Sequence, residues 1–324
     1  MPVQDKADLP GQIRSLGLLL LDGFALMSYA AVVEAFRAAN TLADRTLYRW
    51  DHISVDGDPI RASNGATIIA DRAVGEPLDC DMLFVFAGGD PRRFKDSRTF
   101  AWIRRIAARG TPIAGISAGP YILARAGILD GYQATIHWEH RPAFLEEFPA
   151  SNLQSGLYVI DRRRVTCAGG LAGMDLAIEL IERDQGHALA ARVSDWFIRG
   201  EVRAADRPQR LSLRERYGVA DDTVLRVLAL MEMHVEEPMD RDALGQAAGV
   251  SVRQLDRLFQ QHLHMTVNDS YIQIRLQKAE QLLRTTTLPV TEIAFACGFR
   301  SASHFSRRFL RAFGMPPSRI ARQT

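Results

Sequence analysis

The pentapeptide Gly115-Ile-Ser-Ala-Gly119 has the G-x-S-x-G spacing of a nucleophile elbow. Such an elbow is a tight strand-to-helix turn that exposes one side chain at a sheet edge and aims backbone N–H groups at an anion. His137 follows twenty residues on, where it can serve Ser117 as a base or a hydrogen-bond partner, and Asp175 or Glu34 can orient it. Two chemistries fit these residues. In one, Ser117 is the nucleophile and His137 the base of a serine hydrolase or amidase. In the other, Ser117, Ala118, His137 and Gly89 only line a ligand pocket, where backbone N–H groups receive a carboxylate and Trp138 or Phe24 offers a ring face to an ammonium beside Glu139. Core packing suits Trp138 and Phe24 equally well, and a solvated surface suits Glu139. Spacing alone does not decide.

A second set of residues points to nucleic acid. Residues 244–250 followed by 251–262, and 293–299 followed by 300–313, align at a period of about 49–50 residues. Each copy has a short apolar helix, a glycine turn at Gly249 or Gly298, and a second helix whose inward residues fall four apart, Leu255/Phe259 and Phe305/Phe309. Ser251 is placed as an N-cap, with Gln254 in the capping-box position. The outer faces then present Arg253, Gln254, Asp256 and Arg257 in the first copy and Ala302, Ser303, His304, Arg307 and Arg308 in the second. Arginine on such a face pairs bidentately with guanine, and serine or arginine can equally anchor phosphate. A helical packing domain with a solvated charged face is the alternative.

Charge separates these readings. The chain carries 40 Lys+Arg against 38 Asp+Glu, a net charge of +2. From Ser251 to Thr324, however, eleven basic side chains face four acidic ones, a net +7, which leaves −5 on the first 250 residues. A basic end joined to a mildly acidic body indicates a polyanion-binding module attached to something else.

The elements that must position these residues follow from apolar patterning. Short apolar runs at 15–21, 49–55, 82–87, 112–116, 134–136 and 165–168 read as strands, and 29–40, 100–109, 121–126 and 175–184 as helices between them. Such alternation predicts an α/β domain, a parallel sheet with helices on both faces, whose ligands bind at the carboxyl ends of the strands. Residues 201–222, charge-rich with Pro208 and Gly218, read as a linker, and everything from Thr223 onward reads as helix. Ile272, Leu276 and Leu283 place one helix over 267–283, fixing the two repeated units relative to each other. At 324 residues and 47% hydrophobic content, two globular domains are expected. Cys80, Cys167 and Cys297 are widely spaced and outside any C-x-x-C pair, so buried reduced thiols are expected, with neither a disulfide framework nor a metal site. The longest apolar run, 16–21, is far below the ~18 residues of a membrane span. No secretory leader is visible, so a cytoplasmic protein is expected.

The segment 292–318, EIAFACGFRSASHFSRRFLRAFGMPPS, resembles the signature of AraC/XylS-type transcriptional activators, a likeness extending over about 223–323. The resemblance implies a bipartite DNA-binding domain in which Arg253, Asp256, Arg257, Ser303 and Arg307 read bases or backbone. Residues 84–89, 113–131, 134–138 and 166–175 together resemble the PfpI-like branch of the class I glutamine amidotransferase superfamily, over about 11–199. This implies a flavodoxin-like sheet. In those enzymes the elbow carries a cysteine, here Ser117, and an acidic partner whose place falls at Ser28, while His137 is retained. An unactivated hydroxyl in place of a thiolate implies a domain that binds without catalysis and without a cofactor.

The pairing of both domains is similar to the GlxA-type regulators, and residues 40–50 and 193–198 resemble those that sense amino-acid-like or quaternary-amine metabolites. The resemblance implies an effector-responsive activator, homodimeric, with promoter DNA and RNA polymerase as partners. The expected domains are a ligand-sensing domain over 11–200, a linker over 201–222 and a DNA-binding domain over 223–324.

Overall fold

Alternating apolar strands and helices build, in the computed structural model, a seven-stranded sheet. The structure describes residues 13–286 and 288–321. Residues 11–12 and 322–324, at the outer limits of the expected domains, lie outside the described residues, as does Thr287. The chain divides into two units, one ending at Gln209 and the other beginning at Arg210.

Across the first unit's sheet the strands run in the order Tyr158–Asp161, Arg164–Cys167, Ile113–Ser117, Met82–Ala87, Arg14–Leu20, Tyr48–Ser54, Arg72–Ala73. All neighbours are parallel except the edge strand Tyr158–Asp161, which is antiparallel to Arg164–Cys167. The first strand shows why the sheet must be covered twice. Leu18 and Leu20 join Phe36, Phe84 and Phe86 in one core, whereas Leu19 joins Val85, Ile113 and Ile122 in the other. Alternate side chains of a strand point to opposite faces, and all of these are apolar. Helices Leu26–Ala43, Ala172–Gln185 and His187–Trp196 cover the first face. Ser97–Ala108, Gly119–Arg125 and Arg141–Glu147 cover the second.

Two readings require correction. The strand expected at 134–136 pairs only over Gln133–Ala134, parallel to Asn152–Leu153. Beyond it the Thr135 N–H donates to Thr166 Oγ1 at 2.8 Å and the Thr135 hydroxyl to the Gly156 carbonyl at 2.9 Å, so side-chain bonds end the ladder. The stretch read as a linker is also largely built. Arg203 donates to the fully buried Asp175 carboxylate, the Ala205 carbonyl accepts from Leu157 N–H at 2.7 Å, and a helix spans Leu213–Tyr217 behind a Ser212/Glu215 capping box. Most of its charged residues are partnered in space, which composition does not show.

Among the described residues of the second unit every regular element is a helix. Helices Arg241–Ala248 and Val252–Leu263 pack with Asp222–Met233 around Leu244, Leu255 and Phe259. Val290–Ala296 and Ala302–Phe313 pack around Ile293, Phe305 and Phe309. The connecting helix, Val267–Thr285, enters both cores: Val267, Tyr271 and Ile274 belong to the first, and Ile272, Leu276 and Leu283 to the second. The apolar pattern had revealed only the second face.

Candidate functional site

The elbow in the first unit is dictated by close packing. A Cβ on Gly119 would meet the Val85 carbonyl oxygen at 2.2 Å, and one on Gly115 would meet Pro120 N at 2.7 Å. Helix and strand therefore approach closely enough that both outer positions of the motif must be glycine. Between them Ser117 adopts φ 62°, a left-handed conformation costly for a residue with a Cβ. Gly169 sits against the elbow: a Cβ there would lie 2.7 Å from both Ser117 Cβ and Ser28 Oγ. Ser117 and Ser28 thus flank the same glycine. The Ser28 hydroxyl is engaged, accepting from Gly170 N–H at 2.7 Å.

The structure joins Ser117 and His137 through the main chain. His137 N–H donates to the Ser117 carbonyl at 3.4 Å, and His137 Nδ1 accepts from Glu139 N–H at 3.4 Å. Burial lowers the pKa of this imidazole, with the Glu139 carboxylate opposing. The side chains expected to orient it are occupied elsewhere: Asp175 is held by Arg199 and Arg203, and Glu34 by Arg37. Ala118 does not offer its N–H to an anion. That N–H donates to the Ala87 carbonyl at 3.2 Å, because the elbow folds back onto the end of the neighbouring strand. Gly89 is exposed, at φ 58°.

The aromatic candidates separate. Trp138 is 37% exposed and tilts against the His137 ring, with centroids 5.6 Å apart. Phe24 has no exposed surface and packs edge-on to Tyr29 at 5.7 Å, so it belongs to the core and presents no face to a cation. Glu139 is half-buried. His140 was missed by sequence reasoning: its ring lies 5.8 Å from that of His137, and burial pushes its pKa down to about 4. Gly169 and Gly170 were also missed as site residues, although the Gly-Gly pair after a strand was visible. The thiols do not substitute for Ser117 as nucleophile. Burial pushes Cys80 up to about 11, and Cys167 and Cys297 up to about 12. Among the described residues no cluster of His, Cys, Asp or Glu is placed to hold a metal, and no helix is long and apolar enough to cross a membrane.

In the second unit the repeat is visible in exposure. Residues 251–260 and 301–310 share one order of exposed, half-buried and buried positions, offset by fifty. Ser251 accepts from Gln254 N–H and Ser301 from His304 N–H, capping both recognition helices. Leu255, Phe259, Phe305 and Phe309 are fully buried. Arg253, Gln254 and Arg257 are exposed in the first copy, and Ser303, His304 and Arg307 in the second. Three expected readers differ. Asp256 is half-buried and pairs with Arg241 at 3.4 Å, Arg308 is half-buried and lies 3.9 Å from Asp269, and Ala302 is half-buried in the first turn. Sequence reasoning also missed Gln260, Gln261 and Arg311, which are exposed further along the same helices. Arg275 secures the second turn, donating to the Cys297 carbonyl at 2.8 Å while its guanidinium lies 4.2 Å from the Phe299 ring centroid.

Comparison with known proteins matches both units. Residues 14–183 match the DJ-1/PfpI family and residues 244–323 a helix-turn-helix domain. The HTH-type transcriptional regulator GlxA of Rhizobium meliloti is 41% identical over 313 residues, covering 96% of this chain and 97% of that protein. The HTH-type transcriptional regulator CdhR of Pseudomonas aeruginosa is 43% identical over 302 residues, covering 93% of this chain and 89% of that one. Among solved structures, a THiJ/PfpI family protein from Pseudomonas syringae superposes with a TM-score of 0.54 at 23% identity, covering 77% of this chain and 97% of its own, a likeness of fold.

Proposed function

We propose a mechanism from one premise: the chain belongs to the HTH-type transcriptional regulators that join a DJ-1/PfpI domain to an AraC-type helix-turn-helix domain. It is a DNA-binding regulator of transcription. In our reading the first unit is its sensor, a cup around Ser117 that binds a small amino-acid-like or quaternary-amine metabolite without turning it over. The observation that carries this reading is an elbow that is built but not armed: Ser117 holds the strained φ of 62° while His137 meets it only through the backbone. Ser28, Gly89, Ser117 and His137 supply the polar wall, and the exposed Trp138 ring with Glu139 suits an ammonium. Effector binding shifts a population of conformations and so changes how the second unit meets promoter DNA. The protein acts in the cytoplasm as a homodimeric activator that engages RNA polymerase, with Arg253, Gln254, Arg257, Ser303, His304 and Arg307 facing the DNA.

Thermal unfolding of the full chain with arginine, carnitine or glycine betaine tests the sensor. An effector at 100 times its Kd adds about 2.7 kcal/mol to stability. At roughly 2–4 °C per kcal/mol for a unit of this size, Tm should rise about 5–10 °C. No shift with any of these compounds would refute the proposed effector class. The strained elbow also favours a second reading, an elbow-serine hydrolase fused to a DNA reader. Ester or amide turnover lost in Ser117→Ala would establish it, whereas effector-dependent activation retained in Ser117→Ala, with no turnover by the unaltered protein, would eliminate it.

A further inference from the structure

We infer that residues 199–209 form a strap reporting the state of the Ser117 cup to the chain that enters the second unit, with Gln209 as its positioning residue; the inference rests on reading that cup as an effector site. Gln209 uses both ends of its carboxamide. Its Oε1 accepts from Trp138 N–H at 2.7 Å, and its Nε2 donates to Thr135 Oγ1 at 3.1 Å and to the carbonyls of Ile136 at 3.0 Å and Gly156 at 2.9 Å. Three of these four partners lie in residues 135–138, the segment in which His137 N–H meets the Ser117 carbonyl. The elbow is therefore linked to His137 by a main-chain bond, and the adjoining Trp138 N–H to the Gln209 side chain, and Arg210 opens the second unit.

The other end of the strap is tied to a buried carboxylate. Asp175, with no exposed surface, accepts from Arg199 and from the backbone and side chain of Arg203. It lies in the first turn of the helix that follows Gly169 and Gly170, the glycines against Ser117 and Ser28. Between the two ties the Ala205 carbonyl accepts from Leu157 N–H, and a Cβ on Gly156 would meet that oxygen at 2.4 Å, so the strap is laid into a glycine notch. The Asp175 tie is also incompletely compensated. One carboxylate faces two guanidinium groups, and Arg199 Nη1 is buried with no hydrogen-bond partner. A strap that served only packing needs no attachment both to residues 135–138 and to the helix that follows Gly169 and Gly170. One attached to both responds when either moves. Its release would add ten residues, 200–209, or roughly 33 Å of extended chain, to the tether between the units.

The test uses full-length Ser117→Cys protein alkylated with iodoacetate, which puts a carboxymethyl group in the cup; unaltered protein treated alike controls for labelling elsewhere. Arg199 and Arg203 make the strap a trypsin substrate, the bond after Arg207 being protected by Pro208, and cleavage is followed by mass spectrometry. Alkylation should change the cleavage rate at Arg199 and Arg203 at least threefold, and Gln209→Ala should abolish that response. Equal rates, or a response that persists in Gln209→Ala, would overturn the inference. Amide exchange provides a measurement without alkylation: Gln209→Ala should speed exchange at both Trp138 and Leu157, and unchanged exchange at Leu157 would show that the strap does not act as a unit. The sensor reading fails separately. A metabolite thermal shift without a strap response sinks the strap alone, whereas a strap response with no metabolite shift sinks the effector reading and leaves the coupling standing.

Discussion

Replacing Arg257 and Arg307 with alanine, singly and together, tests the DNA-binding face most directly. The two arginines occupy the same place in the two copies, fifty residues apart, and both are exposed. If each pairs bidentately with guanine, each is worth about 1–3 kcal/mol. At 1.4 kcal/mol per decade that is roughly a 5- to 150-fold loss of affinity. The 19-residue connecting helix is about 28 Å long, so the readers are far enough apart for their losses to add. The double variant should then lose about 2–6 kcal/mol, roughly 30-fold to 10⁴-fold. Mobility-shift titration at fixed salt, on an operator selected from random duplexes, measures this. Repeating it across salt separates readers from anchors, since each lost phosphate contact lowers the log–log slope by about 0.9. Arg308, already 3.9 Å from Asp269, should cost less. Either single variant binding like the unaltered protein, or a double variant no weaker than the singles, would refute the assigned faces.

Three further outcomes are expected. Asp175→Asn leaves two guanidinium groups facing a neutral side chain and should cost about 3–5 kcal/mol, the usual penalty for breaking a buried pair. Because the Arg203 side chain is 37% exposed and can reach water, the lower end applies, and a Tm drop under 2 °C would contradict the tie. Gly169→Ala combines φ +83° with contacts of 2.7 Å to Ser117 and Ser28; about 1–2 kcal/mol for handedness and 1–3 for overpacking follow, and effector-induced stabilisation should vanish. Retained stabilisation would place the effector elsewhere. Finally, burial holds His140 neutral down to about pH 4, with the His137 and Arg92 charges acting the same way and Asp90 opposing, whereas an unfolded histidine protonates near 6.5. The unfolded state binds more protons between these values, so stability should fall as pH drops from about 6.5 to 4, by up to about 3 kcal/mol. Urea melts of His140→Gln that keep the full slope would count against this origin.

Local signals were legible in the sequence. The elbow was readable because its residues fall within one pentapeptide, although Gly119 is demanded by the distant Val85 carbonyl, and the repeated readers because caps and apolar pairs recur within each helix. What the sequence hid depends on partners far along the chain. Nothing local says that Ala118 spends its N–H on Ala87, that Arg241 holds Asp256, or that Gln209 closes on Thr135 and Trp138. A charge-rich stretch with Pro208 reads as a free linker because composition records polarity and not pairing. Phe24 illustrates the reverse case: an aromatic residue beside a glycine turn suits a binding face equally well, and only its neighbours make it core.

The connecting helix, buried on two faces, sets an angular phase between the readers. Each residue inserted into it would rotate one reader against the other by about 100° and advance it 1.5 Å, whereas each base pair added to an operator rotates its groove by only about 34°. No small change in helix length matches a small change in operator length, and every intermediate length would strip apolar residues from one core or the other. Spacing between the two subsites within a protomer is consequently locked. New operator sequences are open to such a chain only through the side chains it displays at the exposed positions of the two recognition helices, with the frame between them held constant.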